Sequence, residues 1–253
     1  MGDDDRVCLV TGAGSGIGAA VARRLSEQGH RVALCARSRD ALREVAASLP
    51  HTSLVVPADL LVDGAVDDVF ATVEEAWGPV EILVANAGAG TSAPIPRITD
   101  ADWQYMLDLN LTTPFRCIRR ALPAMISAGW GRVVVLASVA AKRGEPYLAA
   151  YTASKHGVLG LIRSAAAETA QTGVTVNAVC PAFVDTPMTD GSVETIVART
   201  GRTPDEARAI LAAKQPIGRL ITVDEVADAV EFCVANPAVT GQGINVDGGA
   251  VQS

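Results

Sequence analysis

Short apolar runs alternate with longer stretches of helical periodicity from one end of the chain to the other. The runs are RVCLVT (6–11), RVALCA (31–36), SLVVPA (53–58), VEILVAN (80–86), RVVVLAS (132–138), VTVNAV (174–179) and GINV (243–246). They are apolar almost throughout, which a strand requires only when both faces of its sheet are covered. Between them, residues 17–28, 38–49, 63–77, 101–127, 148–170 and 223–235 carry helix-like patterns. This alternation predicts an α/β fold: a doubly wound, parallel, seven-stranded sheet in three α/β/α layers, one domain over 1–253, with functional loops at the carboxyl ends of the strands.

Residues 181–222 break the rhythm. The segment holds no clear strand pattern and two short helical ones, one opening at TPDEARAILAAK, where Thr203 can cap and Pro204 suits the first helical position. Insertions after a strand's carboxyl end are usually binding loops, so a substrate lid is expected at about 186–215. The bland alternative is a surface elaboration without chemistry.

A chain of 253 residues is long for one domain, yet α/β folds of roughly 250 residues are routinely single. With 49% hydrophobic and 19% charged residues it can bury a large core and does not read as disordered. The net charge of -7 argues against nucleic-acid binding through a broad basic surface, while leaving local contacts with a phosphate open. Cys8, Cys35, Cys117, Cys180 and Cys233 lie far apart, in no metal-ligand spacing, which points to buried thiols in a reducing compartment and to no metal site. The acidic start MGDDDR resembles no leader, and no run of about 18 uncharged apolar residues occurs, so a cytoplasmic protein without a membrane span is expected.

The first apolar run leads through TGAGSGIG directly into a helical pattern. Glycines at such a turn let backbone N–H groups approach a pyrophosphate, and the helix N-terminus adds partial positive charge. Gly12, Gly16 and Gly18 are spaced G-x-x-x-G-x-G rather than G-x-G-x-x-G, and tight turns also use glycine for steric reasons, so the motif is weak alone. In this context it predicts a Rossmann-like dinucleotide site. An acid about 20 residues beyond the glycines would take the adenosine ribose hydroxyls, whereas an arginine accommodates a 2′-phosphate. Ala36 stands where that acid would be and Arg37 follows, so NADP(H) is favoured, with NAD(H) as the alternative. The competing reading is that Arg37 is merely solvated, since Ser15 brings no second basic group to the glycine turn.

Tyr151 and Lys155 in YTASK are four apart and share a helix face. An ammonium beside a phenol favours the phenolate and lowers the tyrosine pKa, which makes the hydroxyl a usable general acid/base. Such pairs also arise by chance, so position matters as much as spacing. The fifth apolar run ends at Ser138 before this helix, so both can meet at the carboxyl edge of the sheet, where the serine can bond a carbonyl or alcohol oxygen. Asn110, polar amid LDLNLTTPF, is either a buried hydrogen-bonder or the holder of a kink and a water.

Together these residues resemble the short-chain dehydrogenase/reductase family over essentially the whole chain. Its signatures appear in order: TGAGSGIG for TGxxxGxG, ANAG for NNAG, Asn110, Ser138, YTASK for YxxxK, PAFVDTP for PG-x-V-x-T, and a closing INVDGG. Ala85 replaces the first Asn of NNAG and Ala182 the Gly after Pro181; neither change removes a catalytic side chain. The resemblance implies that Tyr151 exchanges a proton with the substrate oxygen and Ser138 polarises the carbonyl. Lys155 would lower the Tyr151 pKa and bond the nicotinamide ribose, and Asn110 would hold a water linking Lys155 to solvent. It further implies cofactor contacts at Gly12, Gly14, Ser15, Gly16, Ile17 and Gly18, at Asp59 and Leu60 near the adenine, at Asn86, Ala87 and Gly88, and at Pro181, Val184 and Thr186, the last two against the carboxamide.

The stretches VALCARS, YTASKHGVLG and VNAVCPAFVDTPM look like those of 3-oxoacyl-thioester reductases and polyketide ketoreductases, and AAKQPIGRL like that of 3-hydroxyacyl and 3-hydroxybutyrate dehydrogenases. The loop AGTSAPIP lacks the glycine pair after a proline found in aromatic polyketide ketoreductases, which counts against that subgroup. The expected substrate is a 3-oxoacyl thioester on CoA or a carrier protein, with Arg97, Lys142 or Arg143 available for its phosphate. Ser138, Tyr147 and Tyr151 are the expected substrate contacts, Tyr147 being read as one turn before Tyr151 on the same helix face. An NAD-dependent 3-hydroxyacyl or 3-hydroxybutyrate-type dehydrogenase is the main alternative. An extended-family epimerase or dehydratase is disfavoured by the glycine spacing. A non-catalytic NADP-binding sensor is disfavoured because Asn110, Ser138, Tyr151 and Lys155 are all present. The INVDGG end resembles the subunit-contact strand of tetrameric relatives, which implies a homotetramer.

Overall fold

The structure is a computed structural model that describes residues 5–252. Seven strands, β1 (Val7–Thr11), β2 (Arg31–Ala36), β3 (Ser53–Pro57), β4 (Ile82–Ala85), β5 (Gly131–Leu136), β6 (Val174–Pro181) and β7 (Gly243–Val246), form one sheet in the order β3-β2-β1-β4-β5-β6-β7. Every neighbouring pair is parallel. Against one face pack α3 (Ala65–Trp77), α5 (Thr113–Ala128) and α6 (Ala149–Thr169); against the other pack α1 (Gly16–Glu27), α2 (Arg39–Ser48) and α9 (Val223–Ala235). The expected doubly wound, three-layer architecture is therefore present.

Successive strand residues point to opposite faces. In β1, Val7 and Leu9 enter one core with Phe70, Ile118 and Met125, while Cys8 and Val10 enter the other with Val21, Leu25 and Val230. Burial of one such side chain contributes ~1.5–3 kcal/mol on either face, so neither face of the strand can be polar. The chain runs outward from β1 to β3 and then returns to β4 on the other side of β1. At that reversal the connections diverge and leave a crevice at the carboxyl ends of the strands, where open α/β sheets bind ligands.

Two elements depart from simple periodicity. The pattern over 101–127 is not one helix: α4 (Asp100–Leu107) and α5 are joined by a π-helical turn, Asp108–Thr112. Pro114 explains it. The proline has no N–H to give the Asn110 carbonyl, and the Thr113 N–H reaches five residues back to the Asp108 carbonyl instead. Residues 181–222 form α7 (Pro187–Thr200) and α8 (Pro204–Ala213), with one isolated bridge between Val184 and Ile221. Thr203 caps α8 as expected, its hydroxyl accepting the Glu206 N–H at 3.3 Å while the Glu206 carboxylate accepts the Thr203 N–H at 2.9 Å. The α7–α8 pair has a small core of its own, Val193, Ala207 and Leu211. All five cysteines are free and buried, and among the described residues no helix is long and apolar enough to cross a membrane.

Candidate active site

The chain leaves β1 at Thr11 and turns through residues 12–15 into α1, whose amino end has no side-chain cap. Gly12 has φ +66°, and a Cβ there would come within 2.7 Å of Asn86 Nδ2; a Cβ on Gly18 would run into the Gly12 carbonyl oxygen. Uncapped first-turn N–H groups at the positive end of a helix, above a turn of only small residues (Gly12, Ala13, Gly14 and Ser15), fit the pyrophosphate of a dinucleotide. Thr11 and Asn86 brace this cradle. The Thr11 hydroxyl accepts the N–H groups of Asn86 and Ala87, each at 3.0 Å, and Asn86 Nδ2 donates to the carbonyls of Thr11 and Gly12 at 2.9 and 3.1 Å.

The adenosine end lies beside it. A Cβ on Gly14 would stand 3.4 Å from the Ala41 Cβ and 3.6 Å from that of Ala36, so the glycine turn neighbours the segment bearing Arg37. Arg37 is exposed next to Ser38, which caps α2 by accepting the Ala41 N–H at 3.3 Å. Asp59 is exposed and accepts the Leu61 N–H at 3.0 Å. The Leu60 side chain is packed in the core, which leaves only its backbone for a ligand.

At the carboxyl edge a cavity of about 100 Å³ brings Asn110, Ser138, Tyr151 and Lys155 together with Ile17, Asn86, Gly88, Pro181, Val184 and Thr186. Larger hollows of about 210 and 470 Å³ lie at the α3–α5 surface and on the α7–α8 pair, but neither contains a tyrosine or lysine. Chemistry, not size, singles out the smaller one. Ser138 follows β5 in extended conformation, accepts the Ala140 N–H at 3.1 Å and hydrogen-bonds the Tyr151 phenol. Lys155 is only 4% exposed; its Nζ donates to the Leu136 carbonyl at 2.8 Å and lies 5.6 Å from the centre of the Tyr151 ring.

Asn110, in the π turn, is buried. Its Nδ2 donates to the carbonyls of Ala89 and Met106 at 2.9 and 3.1 Å, and its Oδ1 accepts the Ala89 N–H at 3.3 Å. It is both a buried hydrogen-bonder and part of a kink, and it fixes the strand-end loop next to Lys155. A Cβ on Gly88 would stand 2.8 Å from Asn110 Oδ1 and 3.6 Å from Lys155 Nζ.

Residues 6–196 match the family model for short chain dehydrogenase. The chain belongs to the short-chain dehydrogenase family. This dehydrogenase is 38% identical over 246 residues to 3-oxoacyl-[acyl-carrier-protein] reductase MabA of Mycobacterium tuberculosis, covering 96% of this chain and 92% of that one. It is 37% identical over 250 residues to cis-4-hydroxycyclohexanecarboxylate dehydrogenase of Sinomonas cyclohexanicum, covering 97% and 96%. A crystal structure of a tryptophan variant of actinorhodin polyketide ketoreductase with NADPH superimposes with TM-score 0.94 at 38% identity, over 98% of this chain and 97% of that one. The missing glycine pair in AGTSAPIP is thus a local difference in one loop, set within an overall likeness to a polyketide ketoreductase.

In this oxidoreductase burial acts on both members of the Tyr–Lys pair. It raises the Tyr151 phenol above its ordinary value, with the Ser138 hydrogen bond opposing, and lowers the Lys155 ammonium to about 8. The lowered tyrosine pKa expected from spacing is therefore not what the structure shows: loss of solvent outweighs the stabilisation of the phenolate.

Two further expectations need correction or narrowing. Tyr147 is not on the helix face of Tyr151. It precedes α6 with φ +68°, the one positive φ outside glycine among the described residues, and a left-handed residue cannot continue a right-handed helix. Its carbonyl accepts the Ala93 N–H at 2.9 Å, which ties the loop before α6 to the loop after β4, and its side chain is 58% exposed. Lys142 and Arg143 are committed elsewhere. Lys142 Nζ donates to the Gly243 carbonyl at 2.7 Å, and Arg143 bonds the Ala250 carbonyl at 2.8 Å and Glu145 at 2.5 Å. Of the three basic residues considered for a phosphate, Arg97 on the short Ile95–Arg97 turn is left exposed. Thr11, Met188 and Thr189 were not singled out: Thr11 braces the turn, and the other two line the cavity. A threonine's long-range partners leave no periodic trace in a sequence.

Proposed function

We propose that this short-chain dehydrogenase is an NADP(H)-dependent reductase whose substrate is a 3-oxoacyl thioester carried by CoA or a carrier protein. The observation that carries the reading is Tyr151, hydrogen-bonded to Ser138 and next to the buried Lys155, in the crevice beside an uncapped glycine turn. The absence of an acid at Ala36, the exposed Arg37 and the NADPH in the similar ketoreductase structure support NADP(H). Gly12, Gly14, Ser15, Gly16, Ile17 and Gly18 would hold the pyrophosphate, Asp59 the adenine, and Val184 and Thr186 the carboxamide. Bound NADPH supplies the hydride for the carbonyl carbon.

The chain's own residues manage position and protons. Ser138 Oγ donates a hydrogen bond to the carbonyl oxygen and orients it. Tyr151 Oη gives that oxygen its proton, and burial, by raising the phenol, keeps the proton in place until it is needed. Lys155 would bond the nicotinamide ribose, and Asn110, which holds the Ala89 backbone, would also hold the water of a relay to solvent. In the oxidative direction the same atoms act in reverse. The α7–α8 pair serves as the substrate lid.

Near-equal identity to an acyl-carrier reductase and to a ring-alcohol dehydrogenase makes a cyclic ketone the second reading. A steady-state comparison of NADPH and NADH with acetoacetyl-CoA and a panel of linear and cyclic ketones tests both. The expected result is turnover of acetoacetyl-CoA with kcat/KM for NADPH at least about tenfold above NADH, a difference of roughly 1.4 kcal/mol. NADPH oxidation with simple ketones and none with acetoacetyl-CoA at any concentration would exclude the thioester. Tight NADPH binding without redox activity across the panel would revive the sensor. We also propose a cytoplasmic homotetramer: β7 is a sheet edge whose residues are all half-buried, and Phe115 and Ile126 on α5 are 40% and 42% exposed. Light scattering on the eluting protein reads the copy number.

A further inference from the structure

We propose that Arg208 is a positioning residue for the cofactor side of the active site, fixing residues 184–189 by bonding Asp185 and Asp190 at once. The inference rests on the oxidoreductase reading but not on the identity of the substrate. Arg208 lies on α8. One arm of its guanidinium donates to Asp185 and the other to Asp190 Oδ1 at 2.7 Å. The two carboxylates bracket the residues that enter the cavity: Asp185 stands between Val184 and Thr186, and Asp190 follows Met188 and Thr189 in the first turn of α7.

The other fastenings of this segment lie mostly at its start. The Asp185 N–H donates to the Ile221 carbonyl at 2.8 Å, the Ile221 N–H to the Phe183 carbonyl at 3.0 Å, and the Thr189 hydroxyl to the Val184 carbonyl at 2.5 Å. What then sets the distance between α8 and the amino end of α7 is the small core of Val193, Ala207 and Leu211 together with the Arg208 fork. A planar fork that spans two carboxylates fixes geometry in a way that a single point charge cannot. The competing view is that these are surface ion pairs with little effect on stability: Arg208 is 36% exposed, and its partners 57% and 55%. Both can hold, because residues can be held in place without much change in the folding equilibrium, and this separation makes the role testable.

The experiment compares wild type with Arg208→Gln, Arg208→Lys, Asp185→Asn and the Arg208→Gln/Asp185→Asn double variant. It reads NADPH binding by fluorescence, kcat and KM, melting temperature, and the rate of tryptic cleavage at the exposed Arg199, in the last turn of α7, and Arg202, between α7 and α8. Arg208→Gln is expected to weaken NADPH binding and raise KM by about 3- to 10-fold, with kcat affected less and melting temperature little changed. Cleavage should accelerate by a similar factor, Arg208→Lys should restore part of the loss, and the double variant should be no worse than Arg208→Gln alone. Wild-type NADPH binding and cleavage in Arg208→Gln would overturn the proposal. So would a fall in kcat and melting temperature in step with the rise in KM, which marks a merely structural role. If wild type itself binds no NADPH, the functional reading fails, and the cleavage rates still decide whether Arg208 fastens this segment.

Discussion

Burial lowers Lys155 from its ordinary 10.5 to about 8, with only Cys180 acting the other way. A lysine whose folded pKa lies below its unfolded one is penalised while charged. Between about pH 8 and 10.5 the unfolded chain binds more protons, so the Lys155 contribution to stability rises with pH through that window. Activity should move the opposite way. Burial raises Tyr151 above its ordinary value, whereas the Lys155 charge proposed to hold the ribose is lost in this window. We predict that kcat/KM for carbonyl reduction falls above about pH 8 with one inflection, and that Lys155→Met lowers activity and removes it. An inflection near 10 in a pH–rate profile would contradict the assignment. The Tyr151–Lys155 pair was legible in the sequence because four-residue spacing fixes a helix face. The direction of the phenol's shift was not, because it depends on solvent exclusion by residues remote in the chain.

At the scale of elements, the glycine turn and α1 act as one unit. Gly18 meets the Gly12 carbonyl so closely that any Cβ must displace backbone. Gly18→Ala should therefore leave a folded protein about 1–3 kcal/mol less stable in chemical denaturation, with NADPH affinity reduced at least about tenfold by fluorescence titration. Unchanged affinity would mean that the turn is not the pyrophosphate cradle. Strands and most helices could be read from apolar runs, and the α8 cap from Thr203 and Pro204. The π turn was hidden because its neighbours continue the helical pattern across 101–127; only Pro114, by withholding one N–H, marks it. Tyr147 was misplaced for a related reason: spacing cannot show that a helix starts two residues later.

For the molecule as a whole, strict strand–helix alternation was enough to foresee a parallel sheet with its functional loops on one edge, and the reversal between β1 and β4 brings those loops together. Ser138, Tyr151, Lys155 and Asn110, drawn from three separate parts of the chain, line one cavity. The commitment of Lys142 and Arg143 to the C-terminal segment and the bracing of the glycine turn by Thr11 could not be foreseen, since each depends on contacts between distant parts of the chain. The proposed chemistry requires the gathered group to act as a proton-transfer centre. The most direct test measures NADPH oxidation with acetoacetyl-CoA by wild type and Tyr151→Phe, alongside NADPH binding. The expected result is a loss of kcat of about 10²- to 10⁴-fold with binding changed by less than about twofold. Wild-type turnover by Tyr151→Phe would contradict it.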